Sequence, residues 1–323
     1  MKILAADKLP QSMADSLSKK GHNCTINSSL TTEELPDFIK DYEVLVVRST
    51  AVTADVLDSG DHLKLIVRAG AGTNTIDKKH ASNKGIKVCN VPGANSIAVA
   101  ELAMGLIISI DRNIPDNVFD LRKGVWNKKK YSSSKGIYGR NLGILGLGAI
   151  GLALAERASA FGMNVFGVAK TSRAKETQSR IKKTGIKLLD TREELLKKCD
   201  VVSIHLPSVK ETKNIVNQDF LNHMKEGALL VNTSRGELVD EASLIKAMNE
   251  KGIRAALDVY ADEPNAGDSE FKSAIAQHPN VYGTHHIGAS TQQAQDAVAE
   301  GVIEVIEAFA NGGLINCVNQ EAF

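Results

Sequence analysis

"ILGLGAIG", residues 144–151, is the stretch whose reading decides the fold. An apolar run ends in Gly146, Gly148 and Gly151, spaced G-x-G-x-x-G, and a helix-forming segment opens at Ala149. Each glycine answers a different demand. The first permits a tight turn, the second lets the backbone approach a pyrophosphate, and the third lets helix and strand pack closely. The helix N-terminus then offers unpaired N–H groups and the positive end of its dipole to the anion. Alone the pattern is weak, because glycines mark many ordinary turns; between a strand and a helix it predicts a dinucleotide site.

One helix later comes "NVFGVAKTSR", residues 164–173. The second strand of a dinucleotide unit ordinarily ends in Asp or Glu, which accepts hydrogen bonds from the adenosine ribose and repels a 2′-phosphate. Here the chain offers Ala169 and then Lys170. Lys170, Ser172 and Arg173 could instead donate to a phosphate, as an NADP site would require. The competing reading of "KTSRAKETQSR" is a solvated charged loop.

Outward from the glycine turn, short apolar runs alternate with amphipathic segments: "KILAA", "EVLVVRS", "LKLIVRAG" and "KVCNV", then "NLGILGLG", "NVFGVA", "DVVSIHLP", "ALLVNTS", "AALDVY" and "NVYGTHH". This rhythm predicts an α/β chain with two doubly wound parallel-sheet (Rossmann-like) domains. Only the second array holds the glycine turn. The expected division is an outer substrate-binding domain of residues 1–94 plus 290–323, discontinuous in sequence, and an inner dinucleotide-binding domain of residues 95–289. Between the arrays, Ile97 to Ile110 has Glu101 as its only charge, which predicts a helix buried on nearly every face. A last helix, from about Thr291 to Asn311, should return the chain to the outer domain, and "NKKKYSSSKG" (127–136) reads as a polar, mobile loop.

Composition narrows the function classes. The 323 residues carry 39 Lys and Arg against 38 Asp and Glu, a net charge of +1, so no large field recruits nucleic acid or an anionic membrane. "MKILAADKLP" lacks the apolar core of a signal peptide, and the cytosol is the default expectation. Cys24, Cys89, Cys199 and Cys317 are far apart in sequence, without C-x-x-C or zinc-ligand spacing, so four buried reduced thiols and no metal are expected.

Three further patterns follow predicted strands, at the ends where ligands bind in open α/β sheets. "VNTSRGELVD" offers Arg235, whose guanidinium can hold a carboxylate bidentately. "LDVYADEP" offers Asp258 and Glu263, and "GTHHIGAS" offers His285 and His286. A histidine bonded to a carboxylate through one ring nitrogen is oriented and made more basic, which suits proton exchange with a hydroxyl during hydride transfer. Glu263 and His286 would form that pair; a structural histidine beside a solvated glutamate is the bland alternative.

In order and spacing these stretches, with "NSIAVAE" and "HLPSVKET", resemble the D-isomer-specific 2-hydroxyacid dehydrogenases over almost the whole chain. "VVRSTAVTADVL", "RAGAGTNTID" and "RKGVWNK" look most like members acting on a phosphorylated three-carbon 2-hydroxy acid. The resemblance implies a triad of Arg235, Glu263 and His286, with Asp258 near the nicotinamide carboxamide. It implies that Ala149, Ile150, Leu206, Pro207, Thr233, Ser234, Gly288 and Ala289 line the cofactor. Substrate would be presented by Arg48 and Arg68, by Ala69 and Gly70 of "RAGAG", and by Asn95 of "VPGANS". NAD(H) is the implied coenzyme, with NADP(H) tolerated because Ala169 replaces the usual acid. Also implied are a short form without the regulatory domain of larger members, and a homodimer through the nucleotide domains in which the segment around Trp126 reaches across. His285 stands where the family usually has Pro; His286 is preferred as the base because it directly precedes "IGA". Two rivals share the fold: a reductase of glyoxylate or hydroxypyruvate, and a non-catalytic dinucleotide-sensing protein resembling corepressors.

Overall fold

The computed structural model describes residues 1–170, 172–264 and 269–322. The chain forms two compact units, Met1–Asn95 with Ser290–Phe323, and Ser96–Ala289. Asn95, assigned above to the inner array, falls with the first unit.

The first unit is built on strands β1 (Lys2–Ala5), β2 (Asn23–Ile26), β3 (Val44–Val47), β4 (Leu65–Arg68) and β5 (Lys87–Asn90). They pair in parallel in the order β2-β1-β3-β4-β5. All four residues of β3 are buried, as an inner strand covered on both faces demands. The helix Gln292–Ala310 begins at Thr291, whose hydroxyl accepts from the Ala294 amide, and packs Val298, Val302, Val305 and Ile306 into the core formed with β4 and β5.

After that helix the chain lies beside β5. The Asn90 amide donates to the Asn316 carbonyl, and the Val318 amide to the Val88 carbonyl. Asn319, 8% exposed, docks this segment: its Oδ1 accepts from the Val88 amide at 2.8 Å, and its Nδ2 donates to Ser82 Oγ and the Ile86 carbonyl, each at 3.0 Å.

The second unit holds β6 (Asn141–Leu145), β7 (Asn164–Val168), β8 (Lys187–Leu189), β9 (Val201–Ile204), β10 (Leu229–Asn232), β11 (Arg254–Leu257) and β12 (Val281–Gly283). The order is β12-β11-β10-β9-β6-β7-β8, all parallel. Strand order reverses between β6 and β9, and a sheet of this kind opens a crevice at its carboxyl edge there.

Several expectations need correction. Strands β2 ("NCTI") and β8 ("KLL") were absent from the sequence pattern, because both are edge strands with no fully buried residue and so carry no apolar run. The helix Ser96–Arg112 is not buried all round: Ile97 is 44% exposed, and Glu101 and Gly105 continue the uncovered stripe. Residues 127–136 form turns, but tethered ones, since Lys130 Nζ and Tyr131 Oη both donate to Asp120 and the Gly136 amide donates to Asp111. Of the four thiols, Cys89 and Cys199 are buried, whereas Cys24 and Cys317 are half-buried. Among the described residues no helix is long and apolar enough to cross a membrane.

Asn319→Ala removes four hydrogen bonds, one of them from Cys317 Sγ, and leaves the Val88 amide and the Ile86 carbonyl without their partner. We expect a loss of about 2–3 kcal/mol in unfolding free energy, read as a lower denaturant midpoint at unchanged slope.

Candidate active site

The glycine turn lies where β6 meets β9. Gly146 has φ +102°, and a Cβ on it would lie 2.1 Å from the His205 carbonyl oxygen just beyond β9. A Cβ on Gly151 would lie 2.0 Å from the Gly146 oxygen, so the helix Ala149–Ala160 is packed directly onto the turn. Gly148 differs: a Cβ there would meet nothing within 4 Å. Gly148 and Ala149 are exposed and Ile150 half-buried, so the helix N-terminus faces open space. Among the described residues, four buried side-chain polar atoms in this unit have no hydrogen-bond partner, and two of them, Thr233 Oγ1 and His205 Nδ1, directly follow β10 and β9. An open anion-facing helix end with unsatisfied polar atoms on neighbouring strands fits a dinucleotide. Leu206 and Pro207 follow His205, half-buried and exposed respectively. The His205 ring bonds Ser203 Oγ at 2.9 Å, and burial pushes its pKa down to about 4, so it is neutral near pH 7.

At the end of β7, the Ala169 amide donates to the Leu189 carbonyl of β8. Arg173 Nη2 donates to the Val168 carbonyl at 2.5 Å, so one of the donors expected for a 2′-phosphate is committed to backbone. Lys170 and Ser172 are exposed.

Strand β10 positions Arg235 through a residue the sequence reading missed. Asn232, fully buried, accepts from the Ser234 amide at 3.0 Å and donates to the Arg235 carbonyl at 2.9 Å. Ser234 Oγ donates to the Ile204 carbonyl at 2.7 Å, which ties the turn to β9. Arg235 itself is half-buried, with Nη1 donating to the Ser234 carbonyl. The available signal was a polar residue closing the otherwise apolar "LLVN".

Asp258, 1% exposed, organises the loop after β12. Its Oδ1 accepts from Thr284 Oγ1 at 2.6 Å and the Ile287 amide at 2.9 Å, its Oδ2 accepts from the Gly288 amide at 2.9 Å, and its carbonyl accepts from the His286 amide at 2.8 Å. Gly288 is buried against it and Ala289 is half-buried. These bonds hold His286 at φ +51°, a left-handed conformation rare for a residue with a side chain.

His286 Nδ1 lies 2.6 Å from Glu263 Oε2, and Glu263 Oε1 accepts from the Tyr260 amide at 2.8 Å. The adjacent His285 and His286 are both exposed, and it is His286, preferred in the sequence for its place before "IGA", whose ring meets Glu263. The hydrogen bond to Glu263 raises the His286 pKa, against burial, which lowers it. For Glu263 burial acts upward, but the bonds from His286 and the Tyr260 amide prevail and lower it. The charge of Arg235 reaches both, lowering each. Glu263 therefore stabilises the fold above its unfolded value near 4.5, an effect lost as pH falls through its lower folded value. The His286 contribution is complete below its unfolded value near 6.5 and is lost as pH rises through its higher folded value.

In the first unit, Arg48 and Arg68 close β3 and β4. Asp7, also missed by the sequence reading, gathers the amides of Arg48, Ser49 and Thr50 on its Oδ2 at 2.5, 3.1 and 3.2 Å. Gly70 has φ +133°, and a Cβ there would lie 1.8 Å from Arg68 Nη1, so the guanidinium lies over the glycine. Ala69 is buried beside it, and half-buried Asn95 lies beyond β5.

Residues 104–288 match the D-isomer specific 2-hydroxyacid dehydrogenase NAD binding domain. The chain belongs to that family. Among curated relatives, a D-3-phosphoglycerate dehydrogenase of Methanocaldococcus jannaschii is 41% identical over 99% of this chain and 59% of its own length. A hydroxypyruvate reductase of Thermotoga maritima is 39% identical over 93% of this chain and 95% of its own length. The chain thus spans about three fifths of the first relative and nearly all of the second. Among solved structures, an acyclic imino acid reductase in complex with NADPH and D-Arg superimposes with a TM-score of 0.85 at 27% identity, over 98% of this chain and 100% of that one.

Glu263→Gln keeps the side-chain shape and removes the charge that makes His286 more basic. The imidazole should titrate at lower pH in this variant, followed by its ring-proton chemical shift; an unmoved midpoint would mean the carboxylate does not tune it.

Proposed function

We propose that the chain is an NAD-linked D-3-phosphoglycerate dehydrogenase, reversibly oxidising 3-phosphoglycerate to 3-phosphohydroxypyruvate at the head of a phosphorylated route to serine. The observation that carries this reading is the 2.6 Å Glu263–His286 pair, in the same unit as Arg235 and the open glycine turn. A nicotinamide dinucleotide held at 146–151 would supply the hydride acceptor, with the amides at Gly148, Ala149 and Ile150 as the donors to its pyrophosphate.

The chain's own residues do the rest. Arg235 binds the C1 carboxylate, and its guanidinium polarises the neighbouring C2 oxygen. His286 Nε2 takes the C2 hydroxyl proton in the oxidative direction and returns it in the reductive one. Glu263 fixes the ring through Nδ1 and stabilises the imidazolium that forms. Asp258, with its carboxylate committed to the loop, keeps His286 in place. For the phosphate we assign Arg48 and Arg68, because a phosphorylated three-carbon acid carries about three negative charges and needs cations beyond Arg235.

A second reading, hydroxypyruvate or glyoxylate reduction, is favoured by the relative that this chain matches over 95% of its length. Turnover crossing phosphohydroxypyruvate, hydroxypyruvate and glyoxylate with NADH and NADPH separates the readings. We expect Arg48→Ala and Arg68→Ala each to raise KM for phosphohydroxypyruvate about 10–100-fold, the value of one lost charge-assisted contact, while KM for hydroxypyruvate is unmoved. Unchanged KM values for both would transfer the assignment to the unphosphorylated acid. His286→Ala should lower kcat roughly 100–10,000-fold; undiminished turnover would move the proton transfer to another residue, and no turnover with any substrate in the unaltered chain would leave a dinucleotide-sensing binding protein.

The coenzyme reading is NAD(H) with weak discrimination against NADP(H), since no carboxylate stands at position 169 to repel a 2′-phosphate. Ala169→Asp should raise the NADH/NADPH ratio of kcat/KM, and an unchanged ratio would show that the ribose is read elsewhere. For assembly we propose a homodimer through the second units. Its support is the helix Ile114–Arg122, which buries no residue and leaves Phe119 57% and Leu121 51% exposed, followed by Trp126 at 82%.

A further inference from the structure

Cys89 and Cys317, far apart in sequence, face each other across an antiparallel bridge between β5 and the segment that follows the last helix. The flanking bonds run from the Asn90 amide to the Asn316 carbonyl and from the Val318 amide to the Val88 carbonyl. That pattern makes them a non-hydrogen-bonded pair, the register in which opposed Cα atoms are closest, about 4.5 Å apart. A disulfide needs Cα atoms roughly 4.4–6.8 Å apart, so this register meets the requirement without backbone movement. Both side chains belong to one apolar cluster, with Cys89 in its buried part and Cys317 packed against it. Burial, and after it the adjacent Cys317 thiol, pushes the Cys89 thiol up to about 12.

The two differ in access. Cys89 is fully buried, while Cys317 lines an open cavity of about 530 Å³ whose wall includes Lys78, Lys79 and Ser82. A small anionic disulfide reagent can therefore reach one member of the pair and not the other.

We propose that Cys317 is a modification site for low-molecular-weight disulfides, and that Cys89 resolves the adduct into a Cys89–Cys317 bond. In the first step the Cys317 sulfur attacks one sulfur of the reagent, a new S–S bond forms, the reagent's S–S bond breaks, and one half leaves as thiolate. In the second step the Cys89 sulfur attacks Cys317 Sγ and expels the other half. The two thiol protons pass to the departing thiolates. The protein pair is oxidised by two electrons and one reagent disulfide is reduced to two thiols. The bond joins Met1–Asn95 covalently to Ser290–Phe323, the two chain segments that build the first unit.

The test exposes the reduced full-length chain to oxidised glutathione and follows intact mass, cross-linked peptides and thermal unfolding. We expect the loss of two hydrogens, a single cross-linked peptide pair containing Cys89 and Cys317, reversal by dithiothreitol, and a higher Tm than the reduced chain. Cys317→Ser, a change at a half-buried position, should show neither the mass change nor the Tm shift. The proposal is overturned by an unmodified Cys317, by a glutathione adduct there that persists without closing, by a bond between other cysteines, or by a closed bond that leaves Tm unchanged.

Discussion

Between Gly146 and the carbonyl of His205 there is no room for one methyl group, and the second unit depends on that approach. It brings the ends of β6 and β9 together where strand order reverses. Helices leaving adjacent strands there go to opposite faces of the sheet, and the edge between them is left uncovered. Gly151 then seats the following helix on the turn, and Gly148 leaves its N-terminus clear. Because the obstruction would be a backbone oxygen rather than a side chain, no rotamer change could relieve it.

The other end of the same sheet edge is governed by a carboxylate whose work is structural. Asp258 spends both oxygens on the loop that carries His286, whereas Glu263 addresses the ring itself. Splitting the tasks keeps one acid buried and fully bonded and leaves the other half-buried beside a titrating imidazole. Asn232 does for Arg235 what Asp258 does for His286. In both cases a buried polar residue, hydrogen-bonded to backbone and, for Asp258, to the Thr284 hydroxyl as well, fixes a side chain that faces outward.

Much of this was legible in the sequence, and the omissions share a cause. Interior strands such as "VLVV" and "LLVN" announce themselves because burial on both faces forces a continuous apolar run. Edge strands β2 and β8 need no such run and left no trace. Glycine spacing marked the turn, since sterics at Gly146 and Gly151 admit nothing larger. The Arg235, Glu263 and His286 candidates were visible as polar residues after strands, with His286 preferred to His285 for its place before "IGA"; the contact with Glu263 that gives the preference a physical basis is visible only in three dimensions. Asp7 and Asn232 stayed hidden because their partners are backbone amides, which have no letter in a sequence. The stripe on Ser96–Arg112 was misjudged because Ile97 is apolar yet 44% exposed, and composition alone does not say which face is covered.

The first unit is assembled from chain that is interrupted by the whole of the second. Val88 and the Asn319 side chain that satisfies it are separated by 231 residues. During synthesis β4 and β5 leave the ribosome long before the helix Gln292–Ala310 that covers them, so one apolar face of the sheet waits while nearly two hundred residues are added. The second unit has only local business and can close as it emerges. The first must be held open until the end, which makes it the slower and more aggregation-exposed half of the molecule in the cell.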